Sequence, residues 1–299
     1  MVCYGCNKRT LPIIPRRITK KIFLINKKPT NQYKMETNKY PFNKSKIIQG
    51  DCLEKMKLIP DGSIDTILTD LPYYQVVDND WDNDWKSENH YLKWVEDCII
   101  EIKRLVKPNG SIFLFTSRQL NKNVGVIMDK YFIEQRVIIW KRKRNMSNTR
   151  GHAMNSGYEP ILYYSNSIKP TFNNIKVPPE KHLQKRKEYT VGHLKDGVSI
   201  SDVWDISAIP HNSKEKLNHP TQKPIALMER ILTMSTNIGD IVLDFTAGSG
   251  TTGEACVNLN RDFILIEKEL KYYEVIKERI GKIFEDYGID LQPLLDERI

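Results

Sequence analysis

Residues 241–253 read Ile-Val-Leu-Asp-Phe-Thr-Ala-Gly-Ser-Gly-Thr-Thr-Gly, and this stretch decides the fold. Its first five residues have the apolar content of a buried strand, and helical periodicity begins near residue 251. Gly248, Gly250 and Gly253 fit the pattern Gly-x-Gly-x-x-Gly between that strand and that helix. Glycines at such a turn let the backbone bend tightly and approach a ligand closely. The stretch therefore predicts a ligand-binding strand–turn–helix unit.

The next strand ends in an acid, Glu267, 17 residues after Gly250. A carboxylate there can accept hydrogen bonds from both hydroxyls of a ribose. A dinucleotide and S-adenosylmethionine both offer such a ribose, and the glycine turn alone fits either ligand. A dinucleotide fold normally needs a second half-domain after this unit. Only about 30 residues follow Glu267, which disfavours a dinucleotide.

Apolar strands alternate with helical periodicity from residue 46 onward. Buried strands that alternate with helices predict an α/β fold with a mostly parallel sheet and helices on both faces. We divide the chain into a basic flexible arm at 1–45, a folded domain at 46–284 and a C-terminal tail at 285–299. The predicted strands are 46–49, 64–69, 111–116, 134–140, 159–164, 240–245 and 262–267. The predicted helices are about 89–106, 120–130, 222–236, 251–260 and 269–284.

Charge is spread unevenly along the 299 residues, whose net charge is +9. Residues 1–50 carry 12 Lys and Arg against one acid, and residues 140–195 carry 12 against three acids. The rest of the chain is acidic on balance. A basic arm and a basic insert on an acidic body favour a polyanionic partner such as nucleic acid. Lys-rich stretches are also common as plain solvated surface.

The five cysteines are odd in number and scattered, which favours a reducing, intracellular setting over a disulfide framework. No apolar run approaches the roughly 18 residues of a membrane span, and no secretory signal is apparent. We expect a cytoplasmic protein, or a nuclear one in a eukaryote. Cys3 and Cys6 supply only half of a zinc site and the nearest histidine is His90, so no metal is expected.

Residues 64–73 read Ile-Asp-Thr-Ile-Leu-Thr-Asp-Leu-Pro-Tyr, a buried strand that delivers Asp70 to its carboxyl end. Ligands bind at that end of an open α/β sheet, although Asp and Pro are also common in ordinary turns. In a chemical interpretation, the Asp70 carboxylate and the Leu71 carbonyl accept hydrogen bonds from the two N–H groups of an aromatic amine. These hydrogen bonds draw the lone pair of the amine back onto its nitrogen. Pro72 then fixes the turn, and Tyr73 stacks on a base flipped out of the duplex.

Together the two motifs resemble those of the DNA amino-methyltransferases, whose usual motifs are (Asp/Asn/Ser)-Pro-Pro-(Tyr/Phe) and Phe-x-Gly-x-Gly. Their order here, catalytic motif first, is similar to the circularly permuted beta class. Leu71 replaces the first proline but supplies the same backbone carbonyl, and Phe245 stands one position earlier than in the commonest form. The resemblance covers about residues 46–284 and implies a Rossmann-like S-adenosylmethionine-dependent methyltransferase fold.

The resemblance also implies roles for individual residues. Asp51 and Cys52 would lie near the cofactor adenine, the segment 219–224 would help to hold the methionine end, and Glu267 would bind the ribose. The implied catalytic set is Asp70, Leu71, Pro72 and Tyr73. The implied cofactor set is Asp51, Cys52, Thr221, Lys223, Pro224, Asp244, Phe245, Gly248, Ser249, Gly250, Thr251 and Glu267.

Residues 140–215 occupy the place of the family's target-recognition region. Their basic residues are expected to contact DNA phosphates and base edges, and a charged sheet edge is the alternative. A homodimer and a restriction partner both stay open. The DNA-contacting residues expected here are Lys141, Arg142, Lys143, Arg144 and Arg150.

The implied activity is methyl transfer from S-adenosylmethionine to N6 of adenine in DNA, by direct in-line attack. N4-cytosine methylation is the alternative, since that subgroup more often has Ser where Asp70 stands. Methylation of RNA or of a protein glutamine, and a DNA-binding module without catalysis, are further alternatives. No motif makes a nucleophile of Cys52, Cys98 or Cys256, which disfavours C5-cytosine methylation.

Overall fold

A computed structural model of the protein describes five stretches of the chain. The predicted arm up to residue 41, with Cys3 and Cys6, lies outside them, and so does most of the basic block that follows residue 141. The described residues are 42–74, 85–141, 157–177, 197–210 and 212–295.

Eight strands form the central sheet, and the fold class predicted from the sequence is confirmed. The strands are β1 Lys46–Gln49, β2 Ile64–Asp70, β3 Val106–Phe115, β4 Ile133–Lys141, β5 Tyr158–Ser165, β8 Val203–Asp205, β9 Ile241–Asp244 and β10 Asp262–Glu267, while β6 Lys176–Val177 and β7 Val198–Ser199 form a separate ribbon. Their order across the sheet is β1-β10-β9-β2-β3-β5-β4-β8. Within this described sheet, β5 alone runs antiparallel to its neighbours.

Helices cover both faces of the sheet, because successive residues of a buried strand point to opposite sides. On β2, Leu68 belongs to one apolar cluster and Ile67 to the other. The first cluster holds α4 Ile225–Ser235, α5 Thr251–Leu259 and α6 Leu270–Tyr287, and the second holds α1 Cys52–Met56, α2 Glu88–Leu105 and α3 Asn121–Met128. None of the described helices is long and apolar enough to cross a membrane.

The packed body extends beyond residues 46–284 at both ends. Phe42 is buried against Phe284, with 5.4 Å between the ring centroids. Ser45 donates a hydrogen bond of 2.9 Å to Asp262 at the start of β10. At the other end, Leu294 is buried in the same apolar cluster as Phe42. Phe42, Ser45 and Leu294 are therefore buried with the domain, and Tyr287, Ile289, Leu291 and Leu295 pack against its core.

Part of the predicted target-recognition region lies within the central sheet. Strand β5 is hydrogen-bonded between β3 and β4, and β8 pairs with β4 at the sheet edge. Trp140 donates from its Nε1 to the Ile206 carbonyl at 2.8 Å, and Trp204 is buried beside it. These contacts make 158–165 and 203–206 parts of the scaffold.

The pairing of β2 with β9 brings the two sequence motifs together at one edge of the sheet. Thr66 and Ile67 are in register with Val242 and Leu243. The Thr246 hydroxyl, just after β9, donates to the Asp70 carbonyl at 2.9 Å. Carboxyl ends of neighbouring parallel strands are where open α/β sheets bind ligands.

Candidate active site

A cavity of about 340 Å³ opens beside the carboxyl ends of β2, β9 and β10. Both sequence motifs line it. The predicted site residues on its wall are Asp51, Cys52, Asp70, Leu71, Pro72, Tyr73, Thr221, Phe245, Gly248 and Glu267. A recess of about 30 Å³ beside it is lined by Lys223, Asp244, Ser249 and Thr251, and Asp70 borders both spaces.

Pro224 and Gly250, two predicted cofactor residues, line neither space. Pro224 immediately precedes α4, where its fixed φ suits a helix start. Gly250 precedes α5 with φ 73°, and a Cβ there would lie 3.2 Å from Ile276 side-chain carbons. These positions shape the backbone around the site.

Gly248 shows why the turn after β9 needs glycine. Its φ is +53°, in the left-handed region that side chains with a Cβ disfavour. A Cβ at this position would also lie 2.9 Å from Nε2 of His219. The His219 ring packs edge-on against Tyr272, with centroids 4.5 Å apart. The glycine turn and the segment before α4 therefore close against each other at the cavity wall.

Arg279 braces the glycine turn from α6. Its guanidinium donates to the Ser249 carbonyl and the Thr251 hydroxyl, each at 2.9 Å, and to the Glu254 carboxylate at 2.5 Å. The arginine is buried, so these bonds replace its lost hydration. Sequence reasoning missed this residue, although it interrupts the apolar face formed by Ile276 and Ile280.

Glu267 presents an oriented carboxylate to the cavity. Its Oε2 accepts from the Gly248 amide and its Oε1 from the Glu269 amide, both at 2.8 Å. Burial raises the pKa of this carboxyl to about 7, although the two amides oppose the shift. Each carboxylate oxygen can accept further hydrogen bonds, so the group can still receive two hydroxyls of a ribose.

Asp51 caps α1 at the neighbouring end of β1. Its Oδ1 accepts from the Leu53 amide at 2.9 Å and the Glu54 amide at 3.3 Å. The Gly50 amide donates to the Glu267 carbonyl at 2.9 Å, which joins the ends of β1 and β10. Asp51 and Glu267 both line the larger cavity.

The turn after β2 is fixed from three directions. The Thr246 hydroxyl binds the Asp70 carbonyl at 2.9 Å, and the Leu71 amide donates to the Phe115 carbonyl at 3.2 Å. The Tyr91 hydroxyl donates to the Pro72 carbonyl at 2.9 Å. No described residue donates to the Leu71 carbonyl, which leaves that acceptor available on the cavity wall.

The Asp70 carboxylate has one occupied and one available oxygen. Its Oδ2 is paired with the Lys223 ammonium group. Its Oδ1 is buried and accepts no hydrogen bond from any described residue. Burial raises the pKa of Asp70, and Lys223 opposes that shift. A buried acceptor without a partner is costly, so Oδ1 suits a ligand that brings an N–H group.

Lys223, which the resemblance places with the cofactor, lies beside Asp70 and borders the small recess. Its Nζ is 3.7 Å from Oε2 of Glu159 on β5. It is also 5.3 Å from the ring centroids of both Tyr73 and Phe115. Sequence reasoning missed Glu159, which reaches the site only through the pairing of β5 with β3.

Asp244 is engaged by protein donors. Its Oδ1 accepts from the Thr69 hydroxyl at 2.9 Å and the Thr246 amide at 3.3 Å, and its Oδ2 from the Thr252 hydroxyl at 2.6 Å. Burial raises its pKa to about 6. The carboxyl ties β2, the glycine turn and α5 together and leaves the larger cavity to other residues.

An aromatic cluster that sequence reasoning missed forms part of the cavity wall. Trp85 and Trp94 line it, with ring centroids 5.0 Å apart, and Tyr91 lies 5.3 Å from Trp85. The Trp85 Nε1 is buried and donates to no described residue. The spacing of Tyr91 and Trp94 on one helix face was the available signal. Other lining residues outside the predicted set are Gly50, His219, Thr246, Lys268, Glu269 and Tyr272.

His219 contributes a neutral imidazole to the cavity wall beside the glycine turn. Burial lowers its pKa to about 4, and the nearby charge of Lys223 adds to the shift. Its Nδ1 is buried without a hydrogen-bond partner among the described residues. The ring therefore offers polarity without charge.

Two of the three thiols that no sequence motif makes a nucleophile lie deep in the core. Cys98 and Cys256 are buried, and burial raises the pKa of each thiol well above its usual value. A thiol acts as a nucleophile through its thiolate form. These two cysteines are therefore unsuited to covalent catalysis.

Lys141 is the one residue of the predicted DNA-contacting block that the described residues include. It is exposed and ends β4. Arg142, Lys143, Arg144 and Arg150 lie outside the described residues.

Comparisons with known proteins agree with this arrangement. The family model described as DNA methylase (N6_N4_Mtase) matches residues 64–278. The chain is 33% identical over 261 residues to the Type II methyltransferase M.HpaI of Haemophilus parainfluenzae, covering 85% of this chain and 78% of that one. It is 31% identical over 264 residues to M.HinfI of Haemophilus influenzae, covering 79% and 68%.

Solved structures extend the likeness to three dimensions. The M1.HpyAVI–SAM complex has a TM-score of 0.58 at 27% identity, covering 79% of this chain and 98% of that one. The PvuII DNA methyltransferase (cytosine-N4-specific) has a TM-score of 0.62 at 19% identity, covering 80% and 90%, and is similar in fold. The Rossmann-like methyltransferase fold is thus confirmed, and the chain belongs to the N6/N4 family of DNA methylases.

Proposed function

We propose that this chain is a site-specific DNA methyltransferase that transfers a methyl group from S-adenosylmethionine to the N6 amino group of adenine. Methyltransferases of this family use S-adenosylmethionine, which is the cofactor here. The observation that carries the proposal is the shared cavity. Asp70, whose buried Oδ1 accepts no hydrogen bond from the described residues, and Glu267, which we assign to the ribose, line it together.

The protein residues fit this cofactor. We assign the ribose to Glu267, the adenine to the neighbourhood of Asp51 and Cys52, and the methionine end to the side of Thr221 and the glycine turn. When bound, S-adenosylmethionine supplies an electrophilic methyl group on a sulfonium centre.

Asp70 and Leu71 would act on the target amine. Asp70 Oδ1 and the Leu71 carbonyl accept hydrogen bonds from the two N–H groups of the amine, so the lone pair of its nitrogen becomes available for attack. The nitrogen forms a bond to the methyl carbon as the carbon–sulfur bond breaks, and it then releases one proton to solvent. The Asp70 carboxylate stabilises the positive charge that develops on nitrogen. Tyr73 stacks on the base, and Pro72 holds the turn.

The target base would be flipped out of the duplex into this cavity, and basic residues outside the cavity would hold the DNA. Lys141 lies at the exposed end of β4. Arg142, Lys143 and Arg144 follow it directly in the sequence, and Arg150 comes later. Side chains that contact phosphate position a duplex, whereas contacts to base edges specify its sequence. We assign both tasks to the region 140–215, excluding its sheet strands.

The test is to express the chain in a host that lacks DNA methylation and to digest the genomic DNA to nucleosides. Mass spectrometry should detect N6-methyladenine. N4-methylcytosine in its place would overturn the adenine assignment and keep the methyltransferase. Absence of both products, while the purified protein binds S-adenosylmethionine, would overturn DNA as the substrate. Methylation-sensitive sequencing of the same DNA would give the recognition site.

A further inference from the structure

Lys223 is a buried ammonium group, 6% exposed, beside the turn that carries Asp70. It pairs with Oδ2 of Asp70 and lies 3.7 Å from Oε2 of Glu159. The rings of Tyr73 and Phe115 flank it, each with its centroid 5.3 Å from Nζ. Carboxylates and ring faces both attract a cation. The ammonium group is thereby held in one place.

The backbone that carries Lys223 is also fixed. The residue lies directly before Pro224, which restricts it to an extended conformation, and α4 begins immediately afterwards. Asp70 ends β2 and Glu159 belongs to β5, so the ammonium group joins three separate elements. A side chain anchored in this way can set the orientation of a carboxylate that it binds.

We propose that Lys223 is a positioning residue for Asp70, which it holds through Oδ2 in the ionised form and so leaves Oδ1 to accept a hydrogen bond from the target amine. Glu159 acts as the second anchor of the ammonium group. The inference rests on the methyltransferase function proposed above, in which Asp70 accepts the amine. It replaces the cofactor-binding role that family resemblance implied for Lys223.

The surrounding charges explain why Asp70 needs this partner. Burial raises the pKa of Asp70, the charge of Glu159 raises it further, and Tyr73 lowers it. Asp244 on β9 also faces Asp70 closely enough for their charges to interact. Lys223 supplies the main opposing effect. Without it, Asp70 would take up a proton more readily, and a neutral carboxyl stabilises a developing positive charge poorly.

Lys223→Met tests the inference because it keeps an unbranched side chain that is only one atom shorter and removes the charge. The rate of a single methylation turnover should be measured against pH for the wild type and the variant. We expect the acidic limb of the variant's profile to move to higher pH by about one unit or more, a tenfold change in proton affinity. Calorimetry should find its affinity for S-adenosylmethionine unchanged.

A second variant separates positioning from simple packing. Lys223→Met combined with Glu159→Gln also removes the carboxylate charge that raises the pKa of Asp70. The acidic limb should then move back toward that of the wild type, which a purely structural role would not produce. Lys216→Met is the matched control, since Lys216 lies shortly before Lys223 in the chain and its ammonium group donates to the His219 carbonyl and not to a carboxylate of the site. Its acidic limb should stay in place.

Two results would overturn the inference. One is an acidic limb that does not move in Lys223→Met while circular dichroism shows a folded protein. The other is a fall in cofactor affinity large enough to explain the whole loss of rate. A wild-type chain that methylates no DNA would instead overturn the proposed function, so the two failures can be told apart.

Discussion

The Gly248 amide donates a hydrogen bond of 2.8 Å to Oε2 of Glu267, so the end of β10 holds the glycine turn that follows β9. The bond links the backbone that would approach the cofactor to the carboxylate that would bind its ribose. Because burial raises the pKa of Glu267 to about 7, this link is sensitive to pH near neutrality.

Glu267→Gln should weaken S-adenosylmethionine binding by about 1.5–3 kcal/mol for each charge-assisted hydrogen bond that is lost. In the wild type, affinity should fall as pH drops below about 7, because the protonated carboxyl accepts less well. The variant should lose that pH dependence, as calorimetry at several pH values would show. Equal affinity of both proteins at every pH would contradict the ribose assignment.

The stability of the protein without cofactor should respond to Glu267 in the opposite sense. A carboxyl whose pKa is higher in the folded than in the unfolded state binds its proton more tightly when folded. Its contribution to stability therefore increases as pH falls from about 7 toward 4.5, the usual value for Glu. Chemical denaturation should show this trend reduced in Glu267→Gln. An identical trend in both proteins would mean that other groups cause it.

Gly248→Ala should lower both stability and cofactor affinity, because the new Cβ meets the His219 ring and φ is +53°. The conformation alone costs roughly 1–2 kcal/mol. Gly62→Ala is the matched control, since its φ is +57° and a Cβ there meets nothing within 4 Å. Denaturant titration should find a larger loss for Gly248→Ala than for the control. Equal losses would show that the His219 ring moves away from the new Cβ at little energetic cost.

Asp70→Ala should abolish methylation and leave S-adenosylmethionine affinity nearly unchanged, because the proposed role of Asp70 is to accept a hydrogen bond from the target amine and not to bind the cofactor. Asp70→Asn should retain more activity, since its amide oxygen still accepts a hydrogen bond. Radiolabelled methyl incorporation into DNA measures both. A rate for Asp70→Ala within about tenfold of the wild type, or about 1.4 kcal/mol in the barrier, would contradict the assigned role.

Arg279→Met should lower the free energy of unfolding by about 3–5 kcal/mol, because it strands the Glu254 carboxylate and the Ser249 carbonyl. Lys282→Ala is the control. It removes an ion pair with Glu278 whose lysine side chain is 70% exposed, against 5% for Arg279. That pair should contribute no more than about 1 kcal/mol. Similar losses of unfolding free energy in both variants would argue that Arg279 does not hold the glycine turn in place.

Neutralising Lys141, Arg142, Lys143 and Arg144 together should weaken DNA binding and flatten its dependence on salt. If two of them contact phosphates, the slope of log affinity against log salt should fall by about 1.8. Cofactor affinity should not change. An unchanged affinity for DNA would identify the block as a solvated edge and make the basic arm the next candidate, tested by deleting residues 1–34.

Local patterns carried much of the prediction. The short apolar runs within 46–49 and 262–267 predict strands with the bounds that the structure has, because the central residues of each strand are apolar and mostly buried in the sheet. The glycine turn and the acid–proline turn are likewise short motifs with their own backbone chemistry. Strand β8, at 203–205, was missed because three residues are too few to show a period.

The contacts that complete the site could not be predicted in this way. Glu159 approaches Lys223 because β5 is inserted antiparallel beside β3, a pairing that no local pattern specifies. Trp85 joins the cavity wall through tertiary packing against Tyr91 and Trp94. Lys223 was identified in the sequence, but its role depends on the two acids that the sheet brings to it.

The adjacency of β2 and β9 has a consequence for how the protein is made. Asp70 and Thr246, which share a hydrogen bond, are 176 residues apart in the chain, and closing so long a loop is entropically costly until later contacts repay it. During synthesis the turn at 70–73 therefore exists long before its partner. Strand β10 must also form before Glu267 can hold the glycine turn. A nascent chain consequently cannot assemble this centre until residue 267 has left the ribosome.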